Sequence, residues 1–200
     1  MPLTNEKFIE VEGVRTRYFD KGEGPPLVLF HGGEFGYRAS SDSADDWDTN
    51  FNGLSEWFHV YAVDKLGQGY TDNPLRDSDY TMDAVVQHGY AFLQALGLTN
   101  VNVAGHSRGG YLVTRLALEH PDLIKNCVIV ASGTLAPGVG RNTVVFANPP
   151  KPVGAKECQR WVLERYSFSQ EHITEELLDA ATLIASRASY QQAVEKMDRL

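Results

Sequence analysis

The chain has 200 residues, with 18 lysines and arginines against 26 aspartates and glutamates, a net charge of −8. That length holds one domain with a hydrophobic core, and the acidic balance speaks against nucleic acid and anionic membrane surfaces as partners. No apolar run is long enough to span a bilayer and residues 1–12 are polar, which predicts a cytoplasmic protein.

The N-terminal part of the chain predicts a hairpin followed by a buried strand. Residues 8–11 and 14–19 flank Glu12-Gly13, a pair suited to a tight antiparallel turn. Leu27-Val28-Leu29-Phe30 is a continuous apolar run, which is typical of a parallel strand covered on both faces. It ends at His31-Gly32-Gly33.

Helical and strand patterns then alternate. A short helix is predicted around residues 47–57 and a buried strand at residues 60–63. A longer helix is predicted from Met82 to about Leu96, with Thr81 as its N-cap and Gly97 at its end.

The middle of the chain centres on one serine. A strand at residues 101–104 leads into Gly105-His106-Ser107-Arg108-Gly109, a G-x-S-x-G motif, and residues 111–118 form a helical pattern that stops at His120-Pro121. Another buried strand is predicted at residues 127–131. A serine at the tip of a strand–turn–helix unit is the context that makes this motif a nucleophile elbow.

This alternation predicts an α/β fold, with a mostly parallel sheet and helices on both faces. Residues 132–152 are rich in glycine, proline and asparagine and predict a loop or linker. Helices are predicted at residues 155–166 and at residues 174–187, where Thr174 precedes two glutamates as at a helix start.

The chemistry of a serine nucleophile sets further requirements. Its hydroxyl needs a general base, normally histidine, and the tetrahedral oxyanion needs two N–H donors. We predict Ser107 as the nucleophile, with the N–H groups of Arg108 and Gly33 as the oxyanion donors and Gly32 behind them. A structural serine turn and a plain strand-ending loop are the alternatives at these positions.

Three motifs together resemble those of the α/β-hydrolase superfamily: His31-Gly32-Gly33, Asp64-Lys65-Leu66-Gly67-Gln68-Gly69-Tyr70-Thr71 and Gly105 to Gly110. The resemblance implies that residues 1–136 are the N-terminal part of the hydrolase core and residues 137–200 an incomplete helical lid. In its glycine-rich oxyanion loop and in the lid segment at residues 166–178, the chain most resembles the hydrolases that cleave carbon–carbon bonds in ring-fission products of aromatic catabolism. That similarity implies hydrolysis of a vinylogous keto-acid, with ester hydrolysis as the alternative, and no cofactor.

Two positions depart from that subfamily. His106 stands where asparagine usually precedes the serine, and Ala181 stands where the lid usually carries an arginine for the substrate carboxylate. Arg187, two turns later, is a candidate replacement. We expect His106 and Glu34 to line the substrate pocket.

The resemblance also implies what this stretch of sequence lacks. The superfamily places its acid and histidine on strands that follow the lid, so we expect both, and the C-terminal strands, to lie beyond residue 200. Residues 1–200 alone are therefore expected not to hydrolyse chromogenic esters. A non-catalytic ligand-binding protein of the same fold, an inactive fragment and a rearranged triad are the alternatives.

Other residues are expected to have structural roles. His31 would brace the oxyanion loop, and Asp64 and Asp72 would serve as turn and cap residues, with a displaced triad acid as the alternative. Cys127 and Cys158 are expected to be reduced thiols. No residue pattern predicts a metal site or a dinucleotide fingerprint.

The predicted partner is a small-molecule substrate, and homo-oligomer formation is left open. Without further strands, the strand at residues 127–131 would expose an apolar edge. We therefore expect poor solubility or self-association of this chain.

Overall fold

The computed structural model describes residues 3–37, 39–138, 145–146 and 148–199. The strands in this part of the chain are β1 (Lys7–Val11), β2 (Val14–Lys21), β3 (Pro26–Phe30), β4 (His59–Val63), β5 (Val101–His106) and β6 (Ile124–Val130). They form one sheet in the order β1-β2-β4-β3-β5-β6. The pairs from β4 through β3 and β5 to β6 are parallel, while β1 and β2 are antiparallel to their neighbours, which confirms the predicted mostly parallel sheet.

Helices follow the strands along the chain. The described helices are α1 (Asp48–Leu54), α2 (Met82–Ala95), α3 (Arg108–Glu119), α4 (Lys156–Tyr166), α5 (Glu175–Ser186) and α6 (Ala188–Met197). Short 3-10 turns lie at Ala44–Trp47, Asp77–Asp79 and Gly133–Leu135. Within the described ranges, none of the helices is long and apolar enough to cross a membrane.

Strand β3 shows why the sheet is covered on both faces. Val28 and Phe30 belong to the core that includes α2 and α3, whereas Leu27 and Leu29 belong to a second core with Phe51 of α1. Alternate side chains of a strand point to opposite faces, so a continuous apolar run needs partners on both. Full burial of each such side chain contributes about 1.5–3 kcal/mol.

The predicted helix starts are confirmed by their caps. The Thr81 hydroxyl accepts a hydrogen bond from the N–H of Ala84 at 3.1 Å, and Thr174 does the same for Leu177 at 3.2 Å. Gly97 follows α2 with φ +64°, a conformation that favours glycine. Helix α6 was not predicted, because its sequence lacks a capping residue at its start.

The last three helices contact the segment that follows β3. The amide oxygen of Gln159 in α4 accepts from the N–H of Ser41 at 3.3 Å, and the Tyr190 hydroxyl of α6 donates to the carbonyl of Ser40 at 2.9 Å. These helices therefore contact the segment that follows the carboxyl end of β3, and their role as a lid stays a prediction. Residues 139–144 and 147 of the predicted linker lie outside the described residues, and the division between residues 136 and 137 stays a prediction.

Strand β6 begins three residues earlier than predicted and forms an edge of the described sheet. Val128, Ile129 and Val130 are 53%, 49% and 39% exposed. Since successive side chains point to opposite faces, both faces of this strand are open as well as its edge. The two cysteines, Cys127 in β6 and Cys158 in α4, are free thiols.

Candidate active site

Ser107 occupies the turn between β5 and α3 in a strained backbone conformation. Its φ is 53° and its ψ is −117°, a region that residues other than glycine rarely occupy. Hydrogen bonds hold it there: its N–H donates to the carbonyl of Val130 at 2.9 Å, and its carbonyl accepts from Gly110 N–H at 2.9 Å and Ser132 Oγ at 2.6 Å. The surrounding structure thus fixes the serine at the tip of the turn.

The glycines around Ser107 are required by close backbone approaches. A β-carbon on Gly105 would lie 2.1 Å from the carbonyl oxygen of Gly109, and one on Gly109 would lie 2.3 Å from the carbonyl oxygen of Phe30. Real β-carbons do not approach other atoms so closely. The G-x-S-x-G spacing is therefore dictated by the packing of α3 against β5 and β3.

The glycine loop after β3 lies directly beside the serine. A β-carbon on Gly32 would be 3.3 Å from Cβ of Ser107 and 3.0 Å from Nδ1 of His106. Gly33 has φ +73°, and a β-carbon there would meet the carboxylate of Asp42 at 2.4 Å. The fold thus brings the two motifs singled out in the sequence into contact.

His31 is fully buried beneath this loop. Its Nε2 accepts the N–H of Lys65 at 3.1 Å, which leaves the proton on Nδ1 to donate to the Gly32 carbonyl at 2.8 Å. Burial holds the pKa of His31 well below its usual range, so the ring is neutral. Its contacts brace the loop, as the sequence predicts, and both ring nitrogens are engaged.

Arg108 and Glu34 connect the two motifs by side chains. One guanidinium nitrogen of Arg108 lies 2.5 Å from a carboxylate oxygen of Glu34, and both side chains are about one-third exposed. The backbone N–H groups of Arg108 and Gly33 donate to no residue that the structure describes. These two main-chain N–H groups are therefore unpaired within the part of the chain that the structure describes.

His106 is half-buried beside Gly32, and burial lowers its pKa. The Ser107 hydroxyl has no hydrogen-bond partner among the described residues, so neither His106 nor any other described histidine is seen to act on it. Asp64 and Asp72, the candidate displaced acids, also make no contact with it. The six predicted site residues cluster, while a base for the serine is not visible in the described ranges.

Two buried charges were not predicted from the sequence. Arg17 points inward from β2 and pairs with Asp64 at 2.6 Å, while Lys65 is only 2% exposed and its Nζ donates to the Gly33 carbonyl at 2.8 Å. Arg17 stands two residues before the buried Phe19 and so shares its strand face, which is the one sequence signal of an inward direction.

Arg187, the candidate replacement for the lid arginine, stacks on Tyr70, and Tyr70 lines a cleft. Its guanidinium carbon and that of Arg17 each lie 4.3 Å from the ring centre of Tyr70. The cleft has a volume of about 800 Å³ and opens between β2 and α5. Arg17, Phe19, Tyr70, Leu177 and Ile184 are among its lining residues, and Ser107 is not. No group of three or more histidine, cysteine or acidic residues in the described ranges could hold a metal ion.

Several curated proteins with similar sequences are hydrolases. The chain is 28% identical over 187 residues to the 2-hydroxymuconate semialdehyde hydrolase of Pseudomonas sp. strain CF600, covering 92% of this chain and 62% of that protein. It is 33% identical over 131 residues to the 2-hydroxy-6-oxo-6-(2'-aminophenyl)hexa-2,4-dienoic acid hydrolase of Metapseudomonas resinovorans, covering 65% and 43%. The chain thus spans less than two thirds of the length of these curated relatives.

A solved structure agrees with the sequence relatives. The meta-cleavage product hydrolase of Pseudomonas fluorescens IP01 superposes with a TM-score of 0.78 at 27% identity, over 96% of this chain and 67% of that one. The family model for the alpha/beta hydrolase fold matches residues 25–180. This match includes β3, the serine turn, α4 and the first half of α5, and the chain belongs to the alpha/beta hydrolase fold family.

Proposed function

We propose that this chain carries the nucleophile and the oxyanion hole of a serine-dependent hydrolase. The observation that carries the proposal is the strained Ser107, with an unbonded hydroxyl beside two N–H groups, those of Gly33 and Arg108, that are unpaired within the described residues. Attack by Ser107 on a carbonyl would place the developing negative charge on these donors. Gly32 leaves space for the substrate to approach closely.

The proposed substrate is a vinylogous keto-acid that is cleaved at a carbon–carbon bond, with an ester as the alternative. The names of the curated relatives, both hydrolases of unsaturated keto-acids or semialdehydes, support this choice. Substrates of this class carry a carboxylate. In the described residues, Arg108 is a cation beside the serine and, with Glu34 and His106, would form the wall that selects the substrate.

The proposed reaction needs a base that the described residues do not supply to Ser107. We therefore expect residues 1–200 to show no turnover of chromogenic esters. A chimera restores the missing groups by joining residues 1–200 to the part of the Pseudomonas strain CF600 hydrolase that follows its aligned region. We expect this chimera to hydrolyse 2-hydroxymuconate semialdehyde faster than p-nitrophenyl acetate.

Two control variants make this test specific. Ser107→Ala should lower the rate by about 10³-fold or more, whereas Ser78→Ala, at an exposed serine of a surface turn, should leave it unchanged. A folded chimera that binds the semialdehyde without hydrolysing it would favour the non-catalytic binding protein. Hydrolysis that survives Ser107→Ala would contradict the assignment of the nucleophile.

A further inference from the structure

Lys65 is a buried lysine for which the proposed chemistry has no use. It follows β4 and Asp64, is 2% exposed, and its Nζ donates to the carbonyl oxygen of Gly33 at 2.8 Å. Burying an amine is costly unless its hydrogen bonds are satisfied. A buried lysine that is bonded to a main-chain carbonyl points to a role for that carbonyl.

Lys65 also reaches the neighbouring carbonyl of the same loop. Its backbone N–H donates to Nε2 of His31 at 3.1 Å, and the opposite ring nitrogen donates to the carbonyl of Gly32 at 2.8 Å. The first bond fixes the tautomer that makes the second. The Lys65 side chain thus holds the Gly33 carbonyl directly, while its main-chain N–H holds the Gly32 carbonyl through His31.

A hydrogen bond that fixes a carbonyl group also fixes the direction of the N–H group in the same peptide. A trans peptide is planar, and its C=O and N–H point in opposite directions. The Gly32 carbonyl shares a plane with the N–H of Gly33, and the Gly33 carbonyl shares the next plane with the N–H of Glu34. Because glycine allows many backbone conformations, these planes could otherwise rotate.

We propose that Lys65 is the positioning residue of the oxyanion loop, which it locks with the Gly33 N–H turned toward the substrate side. This inference rests on the proposed function for the role of that N–H, but not for the geometry of the loop. Lys65 does not touch the reacting atoms. It acts on them through the Gly32–Gly33 and Gly33–Glu34 peptides.

The test compares Lys65→Met, which has similar length but no donor, with Lys65→Arg, which keeps a donor, and with Lys156→Met as a control on the surface. Amide resonances of Gly33 and Glu34 are recorded by NMR on the full chain without substrate. We expect both resonances to shift in Lys65→Met, because the Gly33–Glu34 peptide loses the bond that fixes its plane and Gly33 allows it to rotate. Lys65→Arg should restore the wild-type shifts, and Lys156→Met should have no effect.

A titration of the wild-type chain gives a second measurement that needs no variant. Burial lowers the pKa of Lys65 to about 7, while Asp42, Asp46 and Glu34 raise it and Arg108 lowers it further. We expect the Gly33 and Glu34 amide shifts to follow the Lys65 side-chain resonance with the same midpoint. This titration tests the positioning role of Lys65 even if Lys65→Met does not fold.

The outcomes separate this inference from the proposed function. Unchanged Gly33 and Glu34 amides in a folded Lys65→Met variant, or amides that do not follow the Lys65 titration, would overturn the positioning role. In the chimera, Lys65→Met should lower kcat about 10²-fold with little change in KM, since misplaced donors affect the transition state. If the loop responds but the chimera has no Ser107-dependent activity, the positioning stands and the hydrolase function fails.

Discussion

Arg17 and Asp64 form a bidentate ion pair in the interior, with Nε 2.6 Å from one carboxylate oxygen and a second guanidinium nitrogen 3.1 Å from the other. The same carboxylate accepts the N–H groups of Ala44 and Tyr70, each at 2.7 Å. Asp64 thereby joins β2, the segment after β3 and the loop after β4. These four hydrogen bonds give Asp64 a structural role near the site. They leave its carboxylate no free lone pair with which to orient a base.

Removing the cation from this pair should destabilise the fold strongly. Arg17→Met leaves a buried carboxylate without its counter-charge, and we expect the free energy of unfolding to fall by about 3–5 kcal/mol. Urea denaturation at pH 7 measures the change. Arg76→Met removes a 78% exposed partner of Asp79 and should leave the midpoint unchanged. Equal midpoints for both variants would show that Asp64 does not depend on Arg17.

Two glycine-to-alanine substitutions should change the stability of the fold in opposite directions. Gly109→Ala puts a methyl group 2.3 Å from the Phe30 carbonyl and should destabilise the protein by about 3 kcal/mol or more, because backbone must move. Gly53→Ala, within α1, meets nothing within 4 Å and should stabilise by about 0.5–1 kcal/mol. Thermal melts of both variants test this. A neutral Gly109→Ala would contradict the close packing of α3 on β3.

The backbone strain at Ser107 should lower the free energy of unfolding by a measurable amount. Ser107→Ala and Ser107→Gly both delete the hydroxyl, but only glycine adopts φ 53° without cost. We expect the glycine variant to be more stable than the alanine variant by about 1 kcal/mol or more. Chemical denaturation of the pair measures the difference. An alanine variant as stable as the glycine variant would mean that the turn relaxes once the hydroxyl is gone.

His88 should make the fold sensitive to mild acid. Burial lowers its pKa to about 4, and its Nε2 lies 3.0 Å from the Thr16 hydroxyl. Unfolded histidine takes up a proton below about pH 6.5 while the folded ring stays neutral, so this stabilisation is complete above that pH and is lost as the pH falls. Relative to His88→Gln, wild type should lose about 2 kcal/mol between about pH 7.5 and about pH 5. Parallel pH dependences of the two proteins in urea denaturation would refute this.

The open strand β6 should drive self-association. Val128, Ile129 and Val130 expose apolar side chains next to a strand edge that no other described strand pairs with, and such an edge is a template for pairing with another chain. We expect sedimentation to show concentration-dependent association that Ile129→Lys reduces. Leu118→Lys, at a 74% exposed leucine of α3, serves as the control. A monodisperse wild-type monomer would contradict the expectation.

The sequence predicted the parts of this fold that depend on local pattern. Each of these parts is determined by residues that are close in sequence, and the structure has each of them where expected. They are the apolar run of β3, the Thr81 and Thr174 caps, and the strand–turn–helix around Ser107. The glycine loop follows β3 and Ser107 follows β5, and the carboxyl ends of parallel strands lie at one edge of a sheet, which accounts for their proximity.

The buried charges could not be predicted in the same way. Arg17 and Asp64 are 47 positions apart, and Lys65 and Gly33 are 32 apart, so no local pattern joins them. A lysine or arginine beside a strand is most often solvated. Only the tertiary packing shows that these two cations are buried and which groups they satisfy.

The contact of Gly109 with the Phe30 carbonyl has an evolutionary consequence. It couples the serine turn to the strand that carries the glycine loop through main-chain atoms alone. The side chains of Glu34, His106 and Arg108 take no part in that contact, so they can be exchanged while Ser107 and the glycine loop keep their spacing. Under the proposed function, new substrates would be selected by changing these side chains without rebuilding the turn that holds Ser107.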